Sequence, residues 1–368
     1  MTKRLRRAGG RVFDPMKEMI KRQVEMGELG QGEAIMAERK LAEAFSISRE
    51  SVRRGLRELI EEGLLKVVPA KGVFVDYQGP RRHGGRGTST LGYVFWGAPA
   101  SVLHNPFFEG LVRGVEQELR DKGFHLMVAS DPSGGTTRLP LMVKDKKVDG
   151  VLLEGAPVET YRHIEQFVPA VGISNYILIN GAEAQHTGDI VCPDNQRAIM
   201  SLFAYLHELG HRKVGFITPP LDHSSFLGRF EGYQLAHHRY GLPLRQEYII
   251  HTPGNPDPDS VMPILERADR PTAIMCANDF TALVLLRAAR KAGIAVPEQL
   301  SVTGFDDLDQ AAGAKPPLTT VRVSTVEMGR LAVRRLIEKI ERRDPDEVQI
   351  QIQGELVLRG SCAPPAAA

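Results

Sequence analysis

With 368 residues, 42% hydrophobic and 25% charged, the chain has room for two or three domains and the composition of a globular rather than a disordered protein. No apolar run of about 18 residues occurs, which excludes a transmembrane helix, and the basic start MTKRLRRAGGRVFDP lacks the apolar stretch of a secretory signal. The net charge of +2 hides an asymmetry: residues 1–86 hold 19 Lys and Arg against 12 Asp and Glu, whereas the other 282 residues hold 28 against 33. A basic head suited to a polyanion is thus expected on a mildly acidic body, in a cytoplasmic protein.

In the head, AERKLAEAFSISRESVRRGLRELIEEGLLKVVPAKGVFV predicts two helices and a hairpin. Leu41, Ala42 and Phe45 form one apolar stripe. The chain then turns through Ser46-Ile47-Ser48, and Ser48 is placed to cap the next helix by accepting from its free N–H groups. Val52, Leu56, Leu59 and Ile60 fall on one face of that second helix, and Gly63 stops it. Arg49 and Arg53 lie one turn apart on another face, with Ser51 beside them, at the end where a recognition helix points side chains into a major groove. LLKVVPAKGVFV supplies two strands joined at Pro69-Ala70-Lys71-Gly72, a wing with a cation at its tip. A helix pair with solvated arginines is the plain alternative. The capped turn, the arginine face and the basic hairpin occur together in the most basic part of the chain, and that favours DNA.

Residues 77–90, inside the Gly- and Arg-rich stretch DYQGPRRHGGRGTST, read as a flexible linker. Beyond it, short apolar runs alternate with amphipathic helices. The first series is LGYVFW, a helix from Pro106 to Lys122, FHLMVAS, VDGVLLEG, a helix near 159–167 and PAVGIS. The second is a helix from Asn195 to Leu209, KVGFIT, a helix from Gly228 to Tyr240, EYIIHT, a helix near 259–268, TAIMCAN, a helix from Phe280 to Ala292 and LSVTGFD. Two such series predict two parallel sheets with helices on both faces.

Ligands of such a fold sit at the carboxyl ends of the strands. Positions just past the apolar runs are Asn105 to Phe108, Asn175, Ser225 and Arg229 in PPLDHSSFLGR, Asn278 and Asp279, and Asp306. Aromatic platforms, one arginine and several carboxylates or amides suit a small polyhydroxylated ligand, although Asn278 and Asp279 also read as helix caps and Phe107 as plain core. The sequence carries no G-x-S-x-G elbow, no phosphate loop and no H-E-x-x-H pair, so no enzyme is expected. Cys192, Cys276 and Cys362 have neither disulfide nor zinc spacing, so neither metal nor cofactor is expected.

The head, about residues 12–76, resembles the GntR-type winged helix, whose pattern is roughly SERELA-x-x-F-x-VSR-x-TVR-x-AL-x-x-L-x-x-x-GL followed by G-x-G-x-FV. That resemblance implies base-edge and phosphate contacts from Arg39, Arg49 and Arg53, phosphate contacts from Ser48 and Ser51, and minor-groove entry by Lys71 and Gly72. Met36-Ala37 replaces the usual Pro-Ser, and Glu50 and Ser51 also depart from the pattern. The body resembles the effector domain of LacI/GalR repressors, itself similar to periplasmic sugar-binding proteins. The matching stretches are NPFFEGLVRGVEQELRDKGF, VDGVLL, HELGHRKVGFI, RFEGY, PTAIMCANDFTAL, VPEQLSVTGFDD and PPLTTVRVSTVEMGRLAVRRL.

That second resemblance implies Phe107 and Phe108 at an effector pocket, Asp194 and Ser225 near it, and Arg229, Asn278 and Asp306 gripping the ligand. Ser174 stands where sugar-responsive members often have Asp, and His223 also departs. The combination is similar to the arabinose-repressor group. The fold expected is therefore α/β: a winged helix-turn-helix at 1–76, a linker at 77–90, and a two-lobed periplasmic-binding-protein-like sandwich at 91–362. Its first lobe would take 91–185 and 325–347, its second 186–324 and 348–362. The function implied is a homodimeric regulator, by default a repressor, that binds a double-stranded operator under control of a small-molecule effector. A sugar is favoured; a purine-like effector and an activator or co-repressor mode stay open. A transporter's solute-binding protein and a regulator binding pyridoxal phosphate or an acyl group fit less well.

Overall fold

Apolar side chains at helical spacing build the head around one small core, with Met16, Ile20, Leu41, Val52, Leu56, Leu59 and Leu65 all at or near zero exposure. The computed structural model describes residues 11–25, 29–30, 32–69, 71–76, 88–96, 106–120, 122–131, 147–154, 175–181, 188–342 and 346–366. The chain divides into two units, Met1–Gly85 and Arg86–Ala368.

In the first unit, helix α1 (Asp14–Glu25) packs on α2 (Glu38–Phe45) and α3 (Arg49–Glu61). Strands β1 (Leu65–Val68) and β2 (Gly72–Val75) pair antiparallel, and Ala34 bridges to Phe74 as a third strip. Ser46 turns the chain at φ 51° between α2 and α3, and Gly63, at φ 75°, ends α3 by donating to the carbonyl of Ile60. Gly72 opens β2 at φ 118°, a conformation an L side chain rarely takes, so the hairpin tip requires glycine.

The second unit holds two parallel sheets. The first runs in the order β13-β7-β6-β5-β3-β4, from β3 (Thr90–Trp96), β4 (His125–Asp131), β5 (Gly150–Glu154), β6 (Tyr176–Ile179), β7 (Ile190–Pro193) and β13 (Gln349–Ile352). Helices α4 (Pro106–Leu119) and α10 (Thr325–Arg342) cover one face together. Their axes approach closely because Gly114 and Gly329 carry no Cβ: one built on Gly114 would lie 2.0 Å from the carbonyl oxygen of Val326. The second sheet is β11-β10-β8-β9, from β8 (Val214–Thr218), β9 (Ile249–His251), β10 (Ala273–Cys276) and β11 (Ser301–Thr303). Around it lie α5 (Asn195–Glu208), α6 (Ser224–Arg239), α7 (Pro258–Leu265), α8 (Asp279–Lys291) and the short α9 (Asp309–Gly313). β12 (Thr320–Arg322) and β14 (Glu355–Val357) form an antiparallel pair beside it.

Four expectations change. β7 pairs with β6, and β13 with β7, so both strands belong to the first sheet rather than to the second lobe. Backbone pairing moves the crossings to Asp194, to the segment after β12 and to Gly354, a few residues beyond the boundaries at 186 and 348. The loop expected to hold Ser225 and Arg229 is already helix, because α6 begins at Ser224, where the His223 side chain accepts from Ser225 N. Asn175 stands at the amino end of the first sheet, donating to the Asp149 carbonyl at 3.4 Å, and the carboxyl-end residue of β6 is Asn180. Thr90, expected as the linker's last residue, opens β3. The helix near 159–167, the run PAVGIS, Ser174 and Asn105 lie outside the described residues.

Candidate effector site and nucleic-acid interface

The strands of the six-stranded sheet and of the four-stranded sheet run parallel, so in each of these two sheets the carboxyl ends collect on one edge. At the edge of the second sheet, α6 carries Arg229 in its second turn, 3% exposed. Its Nε donates to Asn195 Oδ1 at 3.0 Å, Nη1 to the Ala277 carbonyl at 2.6 Å and Nη2 to Asp306 Oδ1 at 3.3 Å. The guanidinium lies over the Phe305 ring, 3.7 Å from its centroid. A planar fork with this many partners has one orientation, which a lysine would not reproduce.

Asp306 follows β11 on a backbone at φ 110°, and Asp307 at 55° continues the excursion. Such conformations cost about 1–3 kcal/mol each in a non-glycine residue, and persist where the surroundings over-determine them. Here Asp306 N donates to the Val321 carbonyl at 2.8 Å, while the Asp307 carboxylate accepts from Arg322 at 2.7 Å and from Arg359 at 2.6 Å. Burial pushes the Asp306 carboxyl up to about 6, against the pull of Arg229. Asp279, fully buried beneath it, accepts from Thr320 Oγ1 at 2.6 Å and Leu308 N at 2.8 Å; burial, and then the neighbouring Asp306, push it to about 7.

Asn278 caps α8, its Oδ1 accepting from Thr281 N at 2.8 Å, so the capping role foreseen for it is real. Asp194 caps α5 through Arg197 N at 3.0 Å and sits at the first crossing between sheets. Ser225 Oγ donates to Asn180 Oδ1 at 2.6 Å, joining α6 to the carboxyl end of β6 in the first sheet. Phe107 and Phe108 form an edge-to-face pair, centroids 5.7 Å apart, in the first turn of α4 and half-buried on the core. The structure thus brings Arg229, Asp306 and Ser225 into one connected region. It leaves Phe107 and Phe108 on the first sheet's side.

Sequence reasoning missed Asn195, Phe305, Asn180 and Glu154. Glu154 ends the run GVLLE and satisfies the same positional rule as the residues that were found. Asn195 lies inside a helix and has no such signal. His223 is kept neutral: burial, with Arg229 close by, lowers it to about 4.

In the first unit Ser48 caps α3, accepting from Ser51 N at 3.1 Å, with the two hydroxyls 2.9 Å apart. Arg39, Arg49, Lys71 and Gly72 are exposed. Arg53 Nε donates to Glu38 Oε2 at 2.9 Å, and Arg39 lies 3.9 Å from Glu43. Both pairs are solvent-exposed and of little strength, so a phosphate can displace either carboxylate. On the opposite side of α3, Glu58 and Glu62 are taken up by Arg11, Lys17 and Lys21, which leaves that surface near neutral. Among the described residues no helix is long and apolar enough to cross a membrane.

Two family models match: bacterial regulatory proteins of the gntR family over residues 14–75, and a periplasmic binding protein-like domain over 203–362. Among curated proteins, the arabinose metabolism transcriptional repressor of Geobacillus stearothermophilus is 29% identical over 94% of this chain and 96% of its own length. The ribose operon repressor of Escherichia coli K12 is 31% identical over 74% and 82%. Among solved structures, the complex of the transcriptional regulator CelR with cellobiose superposes with a TM-score of 0.69 and 28% identity, covering 85% of this chain and 90% of that one.

Proposed function

Since this chain belongs to the bacterial transcriptional regulators that join a gntR-family head to a LacI-type, periplasmic-binding-protein-like body, we propose that it is a sugar-responsive repressor acting as a homodimer on a two-fold-symmetric operator. The observation that carries the effector reading is the array around Arg229. A buried guanidinium bonds Asp306 past β11 and the Ala277 carbonyl at the carboxyl end of β10, where Asn278 is the next residue, and Ser225 on the same helix ties the array to the first sheet. Donors and acceptors of both kinds, without a net charge to match, fit a neutral polyol. The names of the relatives, for arabinose and ribose, and the cellobiose held by the solved regulator point to a mono- or disaccharide.

In this reading Arg229, Asn278 and Asp306 hold hydroxyls, Phe107 and Phe108 offer a ring face, and Asp194 and Ser225 hold the lobes around the ligand. Arg49 and Arg53 read bases, with Arg39, Ser48 and Ser51 on phosphates and Lys71 with Gly72 in the minor groove. Binding shifts the body toward the joined-lobe state and lowers operator affinity, with a coupling of roughly 1–3 kcal/mol. The work is done in the cytoplasm, on the chromosome.

The test is a thermal-shift screen of the purified chain with L-arabinose, D-ribose, cellobiose, maltose and a set of nucleosides, followed by operator gel shifts with each hit. Stabilisation by a sugar that also releases DNA supports the reading. Stabilisation by nucleosides alone, or by nothing, overturns the sugar.

A further inference from the structure

The seam between the two sheets holds a polar chain that the Arg229 array does not use. Glu154 closes β5 with 1% exposure. Its Oε1 has no hydrogen-bond partner among the described residues, nor has the hydroxyl of Tyr93, which lies on the same face of the neighbouring strand. Asn180 follows Ile179, the register partner of Glu154 on the adjacent strand β6, and its side chain partly offsets the cost of burial at the Glu154 carboxyl. Asn180 Oδ1 is occupied by Ser225 Oγ at 2.6 Å, so its amide nitrogen is the end that serves Glu154. Ser224 Oγ donates to the Asn180 carbonyl at 3.2 Å. Asn180 is held at φ 57°, and both its carbonyl and its Oδ1 accept from α6. Ser225 lies one helical turn before Arg229. One carboxyl of the first lobe is therefore connected, through one amide, to the helix that carries the central cation of the effector site.

Among the described residues no cation accompanies Glu154. The helices packed on its face, α4 and α10, bring Leu111, Val115, Met328 and Ala332. The titratable group on the adjacent strand is Tyr93, whose own burial keeps its hydroxyl protonated. Across the seam stand His223 and Arg229 on α6, then Asp306 and Asp279. A buried carboxylate served by a single amide is costly, and a carboxylic acid in the same place is not.

Resting on the two-lobed effector reading above, we propose that Glu154 is a positioning residue which, as an uncharged acid, holds Asn180 against Ser225, so that joining the lobes takes up a proton. Burial pushes Glu154 from 4.5 to about 8 in the joined state. Opening the seam admits water and returns it toward its ordinary value. The joined state therefore holds a proton that the open state has lost between about 4.5 and about 8. Joining is strongest below that window, weakens as pH rises through it, and is flat above it. Asp306 and Asp279, at about 6 and about 7, titrate inside the same window, and His223, at about 4, below it. A Glu154 variant is thus needed to isolate this proton.

The experiment uses the full chain without any sugar, so its failure is separable from failure of the effector reading. Infrared spectra of protein labelled with carbon-13 in glutamate alone, at pH 6.5, are expected to show a protonated carboxyl band that E154Q lacks; the label excludes Asp279 and Asp306. Absence of the band from the native chain overturns the proposal without reliance on any variant. Hydrogen exchange of segment 223–230, corrected for the intrinsic pH effect, is expected to lose protection at least threefold between pH 5.5 and 8.5. E154Q should keep most of that protection, and N180A should lose it at every pH. A wild-type pH slope in E154Q, or native protection in N180A, overturns the proposal.

Discussion

The guanidinium of Arg229 lies over the ring of Phe305, its carbon 3.7 Å from the ring centroid, while the next residue in the chain, Asp306, accepts from Nη2. One short strand end thus supplies both the platform and the counter-charge for the buried guanidinium.

Replacement of Arg229 separates charge from geometry. R229K retains a cation near Asp306 but loses the simultaneous bonds to Asn195, Ala277 and Asp306. Affinity for the sugar hit is expected to fall at least 30-fold by calorimetric titration, with operator binding intact by gel shift. R229A leaves buried carboxylates uncompensated and is expected to destabilise the body by about 3–5 kcal/mol. Native sugar affinity in R229K would remove Arg229 from the site.

The stability of the body carries a pH signature from Asp279 and Asp306. Burial raises both, to about 7 and about 6, so the folded chain keeps protons that the unfolded chain gives up from about 3.8 upward. Their contribution to stability is full at low pH and falls as pH rises to about 7, by up to about 1.4 kcal/mol per pH unit for each proton. D279N preserves the shape, since the Thr320 hydroxyl turns to accept. Urea unfolding at pH 5 and pH 7.5 should show a smaller pH effect in D279N than in the native chain.

Close packing of α4 on α10 depends on absent side chains. A Cβ on Gly114 meets the Val326 carbonyl oxygen at 2.0 Å and one on Gly329 meets the Leu111 carbonyl oxygen at 2.3 Å, and backbone cannot swing aside. G114A and G329A are each expected to cost about 2 kcal/mol or more, by the general cost of overpacking a core. Calorimetry should show the body transition lowered and DNA affinity of the folded fraction unchanged.

The head is tested by salt. R53A breaks an exposed pair with Glu38 and is expected to leave melting nearly unchanged. Operator affinity should nevertheless drop 10-fold or more, as for R49A, with altered base preference. K71A at the wing tip should weaken binding to all duplexes alike and reduce the salt slope by about 1. Fluorescence anisotropy across a salt series checks both, and an unchanged slope in K71A would take the wing off the DNA.

Much of this was readable from local pattern. Ser48 announced the start of α3, Gly63 its end and Gly72 the wing tip, because caps and positive-φ turns are decided by residues within a few positions. The two strand series followed from runs of apolar residues that no exposed element would carry. Arg229 and Asp306 were proposed by the rule that parallel sheets gather ligand contacts at carboxyl ends, and the structure bonds the two to each other there.

Where the rule misled, the cause was register. Asn175 follows one apolar run and precedes another, YILI, and nothing in a window of ten residues says which end of the sheet it will occupy. Pairing of β6 with β5 puts Asn175 at the amino edge and Asn180 at the seam. The same holds for β7 and β13, assigned to a lobe only by their hydrogen-bonded neighbours. By itself, then, the sequence determined the head, the two α/β series and the polar set proposed as the site, since each is set by short-range propensity and burial pattern. Only tertiary structure decided which distant residues meet: the packing of α5 on α6 brings Asn195 to Arg229, the pairing of β5 with β6 brings Glu154 beside Asn180, and the seam brings Asn180 to Ser225.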